Sequence, residues 1–313
     1  KRRQGGYGRG GRMKIEADTV EITSGVRFGK TTGAPVTLVI YNKDFENWEK
    51  IMSIDPDDET DEKSFTKYRP GHADFAGSVK YNHKDLRNVL ERSSARKTAI
   101  ETAVGAVAKQ ILEEFNIRGY SRILQIGMAK EKEDFHTEID RAKEEGDTLG
   151  GKFVIIYENM PIGLGSYVHW DRMLDGRIAQ AVMSIPAVKT VSIGNHHSYK
   201  LKGSDFHDEM FLENGKIVRE TNNAGGIEGG MTNGENLQIF ASMKPIPTLR
   251  KPLRTVDAAT RTETEAHFER SDTCAVEACA VVAEARIACV LLNEILLKYG
   301  GDNFDEIMKN FYK

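Results

Sequence analysis

The first dozen residues combine arginine with glycine in a pattern that suits an oxyanion. The segment KRRQGGYGRGGR sets Arg2, Arg3, Arg9 and Arg12 among glycines. Glycine lets main-chain amides approach a ligand closely, and each guanidinium can bind two phosphate oxygens through parallel hydrogen bonds. The tract therefore predicts a phosphate-binding segment. An RGG-type RNA-binding tail has the same composition, so composition alone leaves both interpretations open.

A turn further along the chain carries a group that could transfer a proton. Residues 68–74 read YRPGHAD, which puts Arg69, His72 and a carboxylate within seven residues. An imidazole titrates near neutral pH and can act as a general acid or base. A histidine in a turn is more often an ordinary surface residue, so the motif needs support from its surroundings.

A predicted helix N-terminus lies between two arginines in the segment RSSAR, residues 92–96. Ser93 or Ser94 can cap this helix. The free amides of its first turn, together with Arg92 and Arg96, would attract an anion. An ordinary N-cap without a ligand explains the same residues equally well.

Two later segments add charge and rigidity. The segment ERSD, residues 269–272, precedes a long apolar stretch, and we expect Asp272 to be the ionised N-cap of that helix, with Arg270 beside it. The loop KPIPT, residues 244–248, is stiffened by two prolines and could form one wall of a flat ligand site.

Apolar periodicity predicts the elements that must position these residues. Alternation over residues 15–22 and apolar runs at 36–40 and 153–157 indicate strands. Helical spacing is found over 94–115, 130–146 and 170–183, and a helix that is apolar nearly all round should run from Asp272 or Ala275 to Gly300.

The order of these elements predicts the fold class. Strands and helices come in uneven clusters and not in regular β-α alternation, which favours an α+β fold with antiparallel sheets over a doubly wound fold. The glycine-rich stretch 195–234 is long for a passive connection and suggests a binding loop.

Composition limits the classes of protein to consider. The chain has 313 residues, 39% of them hydrophobic, which is enough to bury a large core. The net charge of −3 argues against a chain held on nucleic acid by bulk charge. The sequence shows no bilayer-spanning apolar run and no secretory leader, so we expect a cytoplasmic protein. Its three cysteines should be reduced and buried, and its histidine spacing predicts no metal site.

Nine segments of the sequence, in order, resemble the chorismate synthase family. They are RRQGGYGRGGRM, YRPGHADF, RSSAR, GDTLGG, GLGSYVHWDR, GSDFHDE, NNAGGIEGGMTNGE, KPIPT and RSDTCAV. The resemblance implies one large α+β domain over residues 1–313, with antiparallel sheets that sandwich core helices, and a homotetramer. It also implies an anti-1,4-elimination of phosphate from 5-enolpyruvylshikimate 3-phosphate to give chorismate, the last step of the shikimate pathway. The implied cofactor is reduced FMN, which some members reduce with NADPH.

The resemblance also implies site residues by position. His72 looks like the acid that keeps the flavin in its productive protonation state, Asp272 resembles the carboxylate that helps accept the C6 proton, and Ser94 is expected to face the substrate. The implied cofactor-binding residues are Arg92, Ser93, Ser94, Pro186, Ala187, Gly229, Lys244, Pro245, Ile246, Pro247, Thr248 and Arg270. The implied substrate-binding cations are Arg3, Arg9, Arg12, Arg69, Arg96 and Arg270.

The sequence departs from the family pattern in several places. The GESHG motif with which members begin is absent, and the connection at Gly127 and Met128 is shorter than the family's. We therefore expect that an N-terminal segment and an internal loop near residues 127–128 are missing from the sequence. Pro186 stands where the family has Asn, which removes an amide side chain and an N–H from one predicted flavin contact. A flavin reductase and a Gly-Arg nucleic-acid-binding protein are the alternative functions.

Overall fold

A long apolar helix and a four-stranded antiparallel sheet form the centre of the computed structural model, which describes residues 1–11, 13, 17–268 and 271–313. The α-helices in these ranges are α1 (Asp74–Tyr81), α2 (Leu86–Ser93), α3 (Thr98–Glu114), α4 (Phe135–Glu144), α5 (Leu174–Met183), α6 (Gly203–Phe206), α7 (Val276–Tyr299) and α8 (Phe304–Phe311). The strands are β1 (Glu21–Ser24), β2 (Val26–Arg27), β3 (Lys30–Thr31), β4 (Thr37–Val39), β5 (Arg118–Ile126), β6 (Gly151–Glu158), β7 (Val188–Ile193), β8 (Met210–Glu213), β9 (Lys216–Arg219), β10 (Ile227–Glu228), β11 (Met231–Thr232), β12 (Leu237–Met243), β13 (Arg254–Val256) and β14 (Glu263–Glu265).

The main sheet has the strand order β5-β6-β12-β7, and every neighbouring pair is antiparallel. Ile239 of β12 lies opposite Ile155 of β6 and Ile193 of β7. Every second residue of β12 is buried, from Leu237 to Met243, as expected when one face of a sheet packs on a core. The predicted buried strand at 153–157 is part of β6, and the predicted α+β class with antiparallel sheets is confirmed.

Helix α7 packs against α3, α5, β5 and β6. It begins after Ala275 and ends before Gly300, as predicted. Ala283, Ile287 and Leu291 are fully buried on it. A helix that is apolar nearly all round is stable only when other elements cover most of its surface, and α7 has such neighbours. No helix in the described ranges is both long and apolar enough to cross a membrane.

The three cysteines belong to this core region. All three are free thiols, and Cys274 and Cys279 are buried as predicted, whereas Cys289 is only partly buried. Burial raises the pKa of the Cys279 thiol to about 12 because an apolar environment disfavours the thiolate. The thiol is therefore uncharged at neutral pH.

Several elements begin later than the periodicity predicted. Helices α3, α4 and α5 each follow a short 3-10 turn, at Ala95–Lys97, Lys132–Asp134 and Trp170–Arg172 respectively. Such tight turns are frequent at helix N-termini, and they do not change the apolar spacing from which the helices were predicted. Of the alternating residues at 15–22, Ile22 lies in β1, whereas Ile15 lies outside the described residues.

A tight turn follows β5 at Gly127, where the Ala129 amide donates to the Ile126 carbonyl oxygen over 2.9 Å. The omitted loop predicted at residues 127–128 stays a prediction.

Helices α3 and α7 approach each other closely at Gly105. A Cβ atom at this position would lie 2.3 Å from the Ala285 Cβ and 2.5 Å from the Ala285 carbonyl oxygen. Both neighbours belong to the backbone or its first carbon, so neither can rotate away. The absence of a side chain at residue 105 therefore sets the distance between the two helices.

We predict opposite effects for alanine at two helical glycines. Gly105→Ala should lower the free energy of unfolding by about 1–3 kcal/mol, because it overpacks the contact between α3 and α7. Gly176→Ala lies on the exposed side of α5, where a Cβ would meet nothing nearer than 3.7 Å. It should raise the free energy of unfolding by up to about 1 kcal/mol, because alanine has the higher helix propensity. Urea unfolding of both variants measures the difference, and equal effects would contradict the close helix contact.

Candidate active site

Separate stretches of the chain meet around a cavity of about 500 Å³. They include the N-terminal tract, the turn before α1, the connection between α2 and α3, and the segment that leads into α7. A volume of this size lies within the usual range of small-molecule sites. The predicted site residues that line the cavity are Arg3, Arg9, Arg69, His72, Ser93, Ser94, Arg96, Pro186, Ala187, Lys244, Ile246, Pro247, Thr248 and Asp272.

Other predicted site residues do not line this cavity. Arg92 is exposed on the last turn of α2, Pro245 is exposed in the loop after β12, and Gly229 is exposed in the turn between β10 and β11. The structure of one chain does not bring these three to the cavity, and their contacts with a cofactor stay predictions. Arg12 and Arg270 lie outside the described residues.

The turn before α1 holds Arg69, His72 and Asp74 in mutual contact. Asp74 is fully buried, and its two oxygens accept hydrogen bonds from the Arg69 guanidinium over 2.8 Å each. The His72 Nδ1 lies 2.5 Å from Asp74 Oδ1 and 2.9 Å from an Arg69 nitrogen. The short contact with the carboxylate favours the tautomer with hydrogen on Nδ1. The other ring nitrogen, Nε2, is then the atom that can exchange a proton with a ligand.

The negative charge of Asp74 stabilises this turn through its contacts with Arg69 and His72. Burial by itself would raise the pKa of Asp74, but hydrogen bonds from Arg69 and His72 outweigh burial and hold the pKa well below its usual range. Asp74 therefore stays ionised and balances a guanidinium that is itself buried. Asp74 was not among the predicted site residues, although it belongs to the same seven-residue motif.

We predict that Asp74→Asn destabilises the fold in a pH-dependent manner. The variant leaves a buried guanidinium without its counter-charge, which should lower the free energy of unfolding by about 3–5 kcal/mol at neutral pH. The folded-state pKa of Asp74 is depressed, so its contribution is present above the unfolded pKa of about 3.9 and is lost as the pH falls through the folded pKa. Urea unfolding at several pH values should show that the difference in free energy of unfolding between wild type and variant becomes smaller at acidic pH.

Asp61→Asn, at an exposed carboxylate, is the matched control and should change stability by less than about 0.5 kcal/mol. If the difference in free energy of unfolding between wild type and Asp74→Asn stayed constant down to acidic pH, Asp74 would not have the proposed charge.

Two more lining arginines are held by the carboxylate of Asp18. Arg96 donates to both Asp18 oxygens, over 2.5 and 2.6 Å. A guanidinium nitrogen of Arg3 lies 3.9 Å from Asp18 Oδ2, and Arg3 Nε donates to the Thr98 hydroxyl over 2.9 Å. Hydrogen bonds from Arg96, and the charges of Arg96 and Arg3, lower the pKa of Asp18. Asp18 lies in a stretch with no recognisable motif, so the sequence offered no signal for this role.

Asp272 does not cap α7, so the predicted N-cap is wrong. The N-cap residue is Ala275, which makes no side-chain capping bond. Asp272 Oδ1 instead accepts a hydrogen bond from the Gly10 amide over 2.6 Å, and its Oδ2 lies 2.9 Å from Arg9 Nε. An interaction with a tract about 260 residues earlier in the chain competes with capping, and sequence reasoning about a helix end cannot detect it. The Ser94 cap is confirmed, because its hydroxyl accepts from the Arg96 amide at the start of a 3-10 turn.

The loop after β12 forms part of the wall and is tied to two neighbours by Lys244. The Lys244 amide donates to the Ala187 carbonyl oxygen over 2.9 Å, and its Nζ donates to the Gly71 carbonyl oxygen over 2.6 Å. Burial, with a smaller effect of Lys189, lowers the pKa of the Lys244 ammonium. The stiff loop is thereby joined both to the segment before β7 and to the turn that carries His72.

The lining of the cavity is cationic and partly apolar. The described lining residues include the basic side chains of Arg3, Arg9, Arg69, Arg96 and Lys244, and the acidic side chain of Asp272. Leu90, Ile185 and Val282 add apolar surface. Guanidinium groups suit phosphate and carboxylate oxygens, and apolar walls suit a flat ring system. The residues present therefore fit a flavin phosphate together with an anionic substrate. No group of three or more metal-ligating side chains occurs among the described residues.

This combination of an α+β fold, a cationic cavity and an oriented imidazole defines an enzyme that acts on an anionic small molecule. The chain belongs to the chorismate synthase family, whose family model matches residues 1–296. It is 53% identical over 313 residues to the chorismate synthase of Thermoanaerobacter pseudethanolicus, covering 99% of this chain and 87% of that protein. It is 48% identical over 347 residues to the Aquifex aeolicus chorismate synthase, covering 99% and 87%. A solved structure, "Crystal Structure of Chorismate Synthase", matches with a TM-score of 0.75 and 38% identity over 94% of this chain and 83% of that one.

Family membership decides between the functions that the sequence left open. The protein is a chorismate synthase-family lyase of the shikimate pathway that eliminates phosphate from a small molecule, and its family uses a flavin. The glycine–arginine tract lines the enzyme's cavity, which accounts for its composition without an RNA ligand.

Proposed function

We propose that the protein eliminates phosphate from 5-enolpyruvylshikimate 3-phosphate to give chorismate, with reduced FMN as its cofactor and NADPH as a source of electrons for the flavin. The observation that carries this proposal is the meeting of separate family-like sequence segments at one cavity, where five of the described lining side chains are basic. In the reaction the C3–O bond breaks, phosphate leaves with the bonding electrons, a hydrogen leaves C6, and a second ring double bond forms. There is no net oxidation or reduction of the substrate.

The arginines of the cavity would hold the phosphate and carboxylates of the substrate. Arg3, Arg9, Arg69 and Arg96 are the described candidates, and Arg12 and Arg270 complete the proposed set. Asp18, Asp74 and Asp272 each contact one or more of these guanidinium groups. A guanidinium has five N–H donors, so a carboxylate that accepts two of them leaves others for the ligand. The carboxylates therefore orient the cations without using all of their donors.

Two titratable side chains would handle protons. His72 is oriented through Nδ1 by Asp74, which leaves Nε2 to hold or give a proton at the cofactor. Asp272 lines the cavity, and its carboxylate would help to accept the proton that leaves C6. Ser94, whose hydroxyl is already fixed by the Arg96 amide, would face the substrate.

The residues proposed for the cofactor are Arg92, Ser93, Ser94, Pro186, Ala187, Gly229, the loop 244–248 and Arg270. When bound, reduced FMN would lend electron density as the C–O bond breaks and recover it as hydrogen leaves C6. Ser93 is held in place because its hydroxyl donates to the Val89 carbonyl oxygen over 2.6 Å. Ile246 is held because its carbonyl oxygen accepts from the Thr148 hydroxyl over 2.7 Å. Both contacts would keep the wall of the cavity rigid around a flat ring.

A homotetramer in the cytoplasm is part of the same proposal. The hairpin of β8 and β9 exposes Met210, Phe211, Leu212 and Ile217 to solvent in the single chain. Large apolar side chains exposed in this way are typical of an association surface, which supports an oligomer. Multi-angle light scattering should give a mass of four chains.

The proposal is tested by anaerobic assay with dithionite-reduced FMN and 5-enolpyruvylshikimate 3-phosphate. We expect chorismate and inorganic phosphate in equal amounts, since one molecule of each leaves the same substrate. A second arm supplies oxidised FMN and NADPH. Consumption of NADPH without phosphate release in either arm would identify a flavin reductase and contradict the proposed reaction.

We predict that His72→Ala lowers kcat by about 10²-fold or more, the usual contribution of a positioned acid. The fold should remain, because the buried pair of Arg69 and Asp74 persists without the imidazole. His83→Ala, at a histidine outside the cavity lining, is the control and should keep wild-type kcat. Stopped-flow absorbance of chorismate formation measures both, and a fully active His72→Ala would remove His72 from the mechanism.

A further inference from the structure

Glu284 is a buried carboxylate in the middle of α7, away from the cavity lining. Its side chain is 1% exposed, yet it receives three donors from other elements. The Lys109 Nζ of α3 donates over 2.8 Å, and the Ser121 hydroxyl of β5 donates over 2.5 Å. Arg2 forms a two-pronged contact with both Glu284 oxygens, over 2.8 and 2.7 Å.

Two of the donors to Glu284 belong to α3 and β5, whereas the third belongs to the N-terminal tract. Burial would raise the pKa of Glu284, but hydrogen bonds from Arg2, Lys109 and Ser121 together lower it, so the carboxylate is charged. Lys109 already supplies one compensating charge from inside the scaffold, and it also donates to the Gly119 carbonyl oxygen over 2.7 Å. Arg2 is 60% exposed and belongs to the N-terminal tract. The contact of Arg2 therefore attaches the tract to α7 and also helps to keep Glu284 ionised.

The tract runs antiparallel to the beginning of α7 from this point. The Gly8 carbonyl oxygen accepts hydrogen bonds from the Thr273 and Cys274 amides, over 2.8 and 3.3 Å. The Gly10 amide then donates to Asp272 over 2.6 Å. As the tract advances from residue 2 to residue 10, its partners move back from residue 284 to residue 272. A side chain at Gly8 would meet Ile139 at 2.7 Å, so the fit is close.

Two cavity arginines in the described part of the tract lie between these attachment points. Arg3 follows Arg2 directly, and Arg9 lies between Gly8 and Gly10. Both line the cavity. The Arg3 guanidinium also donates to the Thr98 hydroxyl and the Ala95 carbonyl oxygen, and Arg9 donates to the Arg3 carbonyl oxygen over 3.3 Å. The Arg2 pair adds a contact with α7 at the residue next to Arg3. Without that contact, a ligand would have to restrict more of the glycine-rich backbone on binding.

We propose that the ion pair between Arg2 and Glu284 positions Arg3 and Arg9 for anion binding, so that Arg2 and Glu284 are positioning residues that do not touch the substrate. This role rests on the proposed function for its ligand, a phosphorylated dicarboxylate. The pair holds the residue next to Arg3, the hydrogen bonds of Gly8 and Gly10 hold the residues on either side of Arg9, and the cationic side chains are preorganised before the ligand arrives.

The test compares Arg2→Ala, Arg2→Lys and Lys1→Ala in the full chain. Arg2→Ala should raise KM for 5-enolpyruvylshikimate 3-phosphate by about tenfold and change kcat by less than about twofold, because ordering the tract affects substrate and transition state equally. Arg2→Lys should give an intermediate KM, since an ammonium keeps the charge but not the paired geometry. Lys1→Ala removes the same charge one residue away and should leave both constants at wild-type values.

Hydrogen exchange provides a readout that needs no turnover. In Arg2→Ala, the amides of residues 3–11 should exchange about tenfold faster than in wild type and Lys1→Ala, while those of α7 residues 280–295 should not change. The exposed position of Arg2 makes a folded variant the expected result. The wild type could release no phosphate in the lyase assay while Arg2→Ala still showed faster exchange at residues 3–11. That result would contradict the proposed reaction but support the positioning role of Arg2.

Other outcomes would overturn the proposal. Unchanged KM and unchanged exchange in Arg2→Ala would show that the tract is fixed without the pair. An equal rise of KM in Lys1→Ala would show that only net charge matters. A double-mutant cycle with Glu284→Gln separates the partners: the effect of Arg2→Ala on exchange should largely disappear in the Glu284→Gln background. If the effects of Arg2→Ala and Glu284→Gln on hydrogen exchange were fully additive, Arg2 would not act through Glu284.

Discussion

Burial of α7 against the main sheet and α3 is the interaction on which the rest of the structure depends. The apolar surface of this helix is covered by β5 and β6, by α3 and by α5, and removal of that surface from water is the dominant favourable contribution to folding. The close approach at Gly105 sets how near α3 can lie. Because α7 is held on several sides, its N-terminal end is a fixed platform on which a flexible, glycine-rich tract can be ordered.

The cavity beside that platform concentrates positive charge, which costs free energy because like charges repel in a partly desolvated site. The structure offsets this repulsion with carboxylates that contact the guanidinium groups. Asp18 contacts Arg96 and Arg3, Asp74 contacts Arg69, and Asp272 contacts Arg9. Each carboxylate lowers the repulsion in the ligand-free enzyme and fixes the direction of an arginine. Rigid donors of this kind need little reorganisation when an anion binds.

The same arrangement links stability to the site. Asp74 orients His72 and also balances a buried cation, so the group that prepares the imidazole is part of the folded framework. Lys244 joins the stiff loop after β12 to the turn that carries His72. Glu284 lies further from the ligand, yet it connects α3, β5, α7 and the N-terminal tract through its donors. Carboxylates of the folded framework thereby support His72 and the described arginines that line the cavity.

The sequence by itself determined the chemistry of the site and the class of the fold. Periodicity depends on local spacing, so β6 and α7 could be predicted, and the residue types of the tract and of the turn at 68–74 indicated anion binding and proton transfer. The tertiary structure alone decided which charges meet. Asp272 pairs with Arg9 and Gly10 in place of capping α7, and Asp18 and Glu284 become partners of arginines that are distant in sequence. These contacts depend on the three-dimensional path of the chain, because a charge pair requires only proximity in space and leaves no periodic pattern in the sequence.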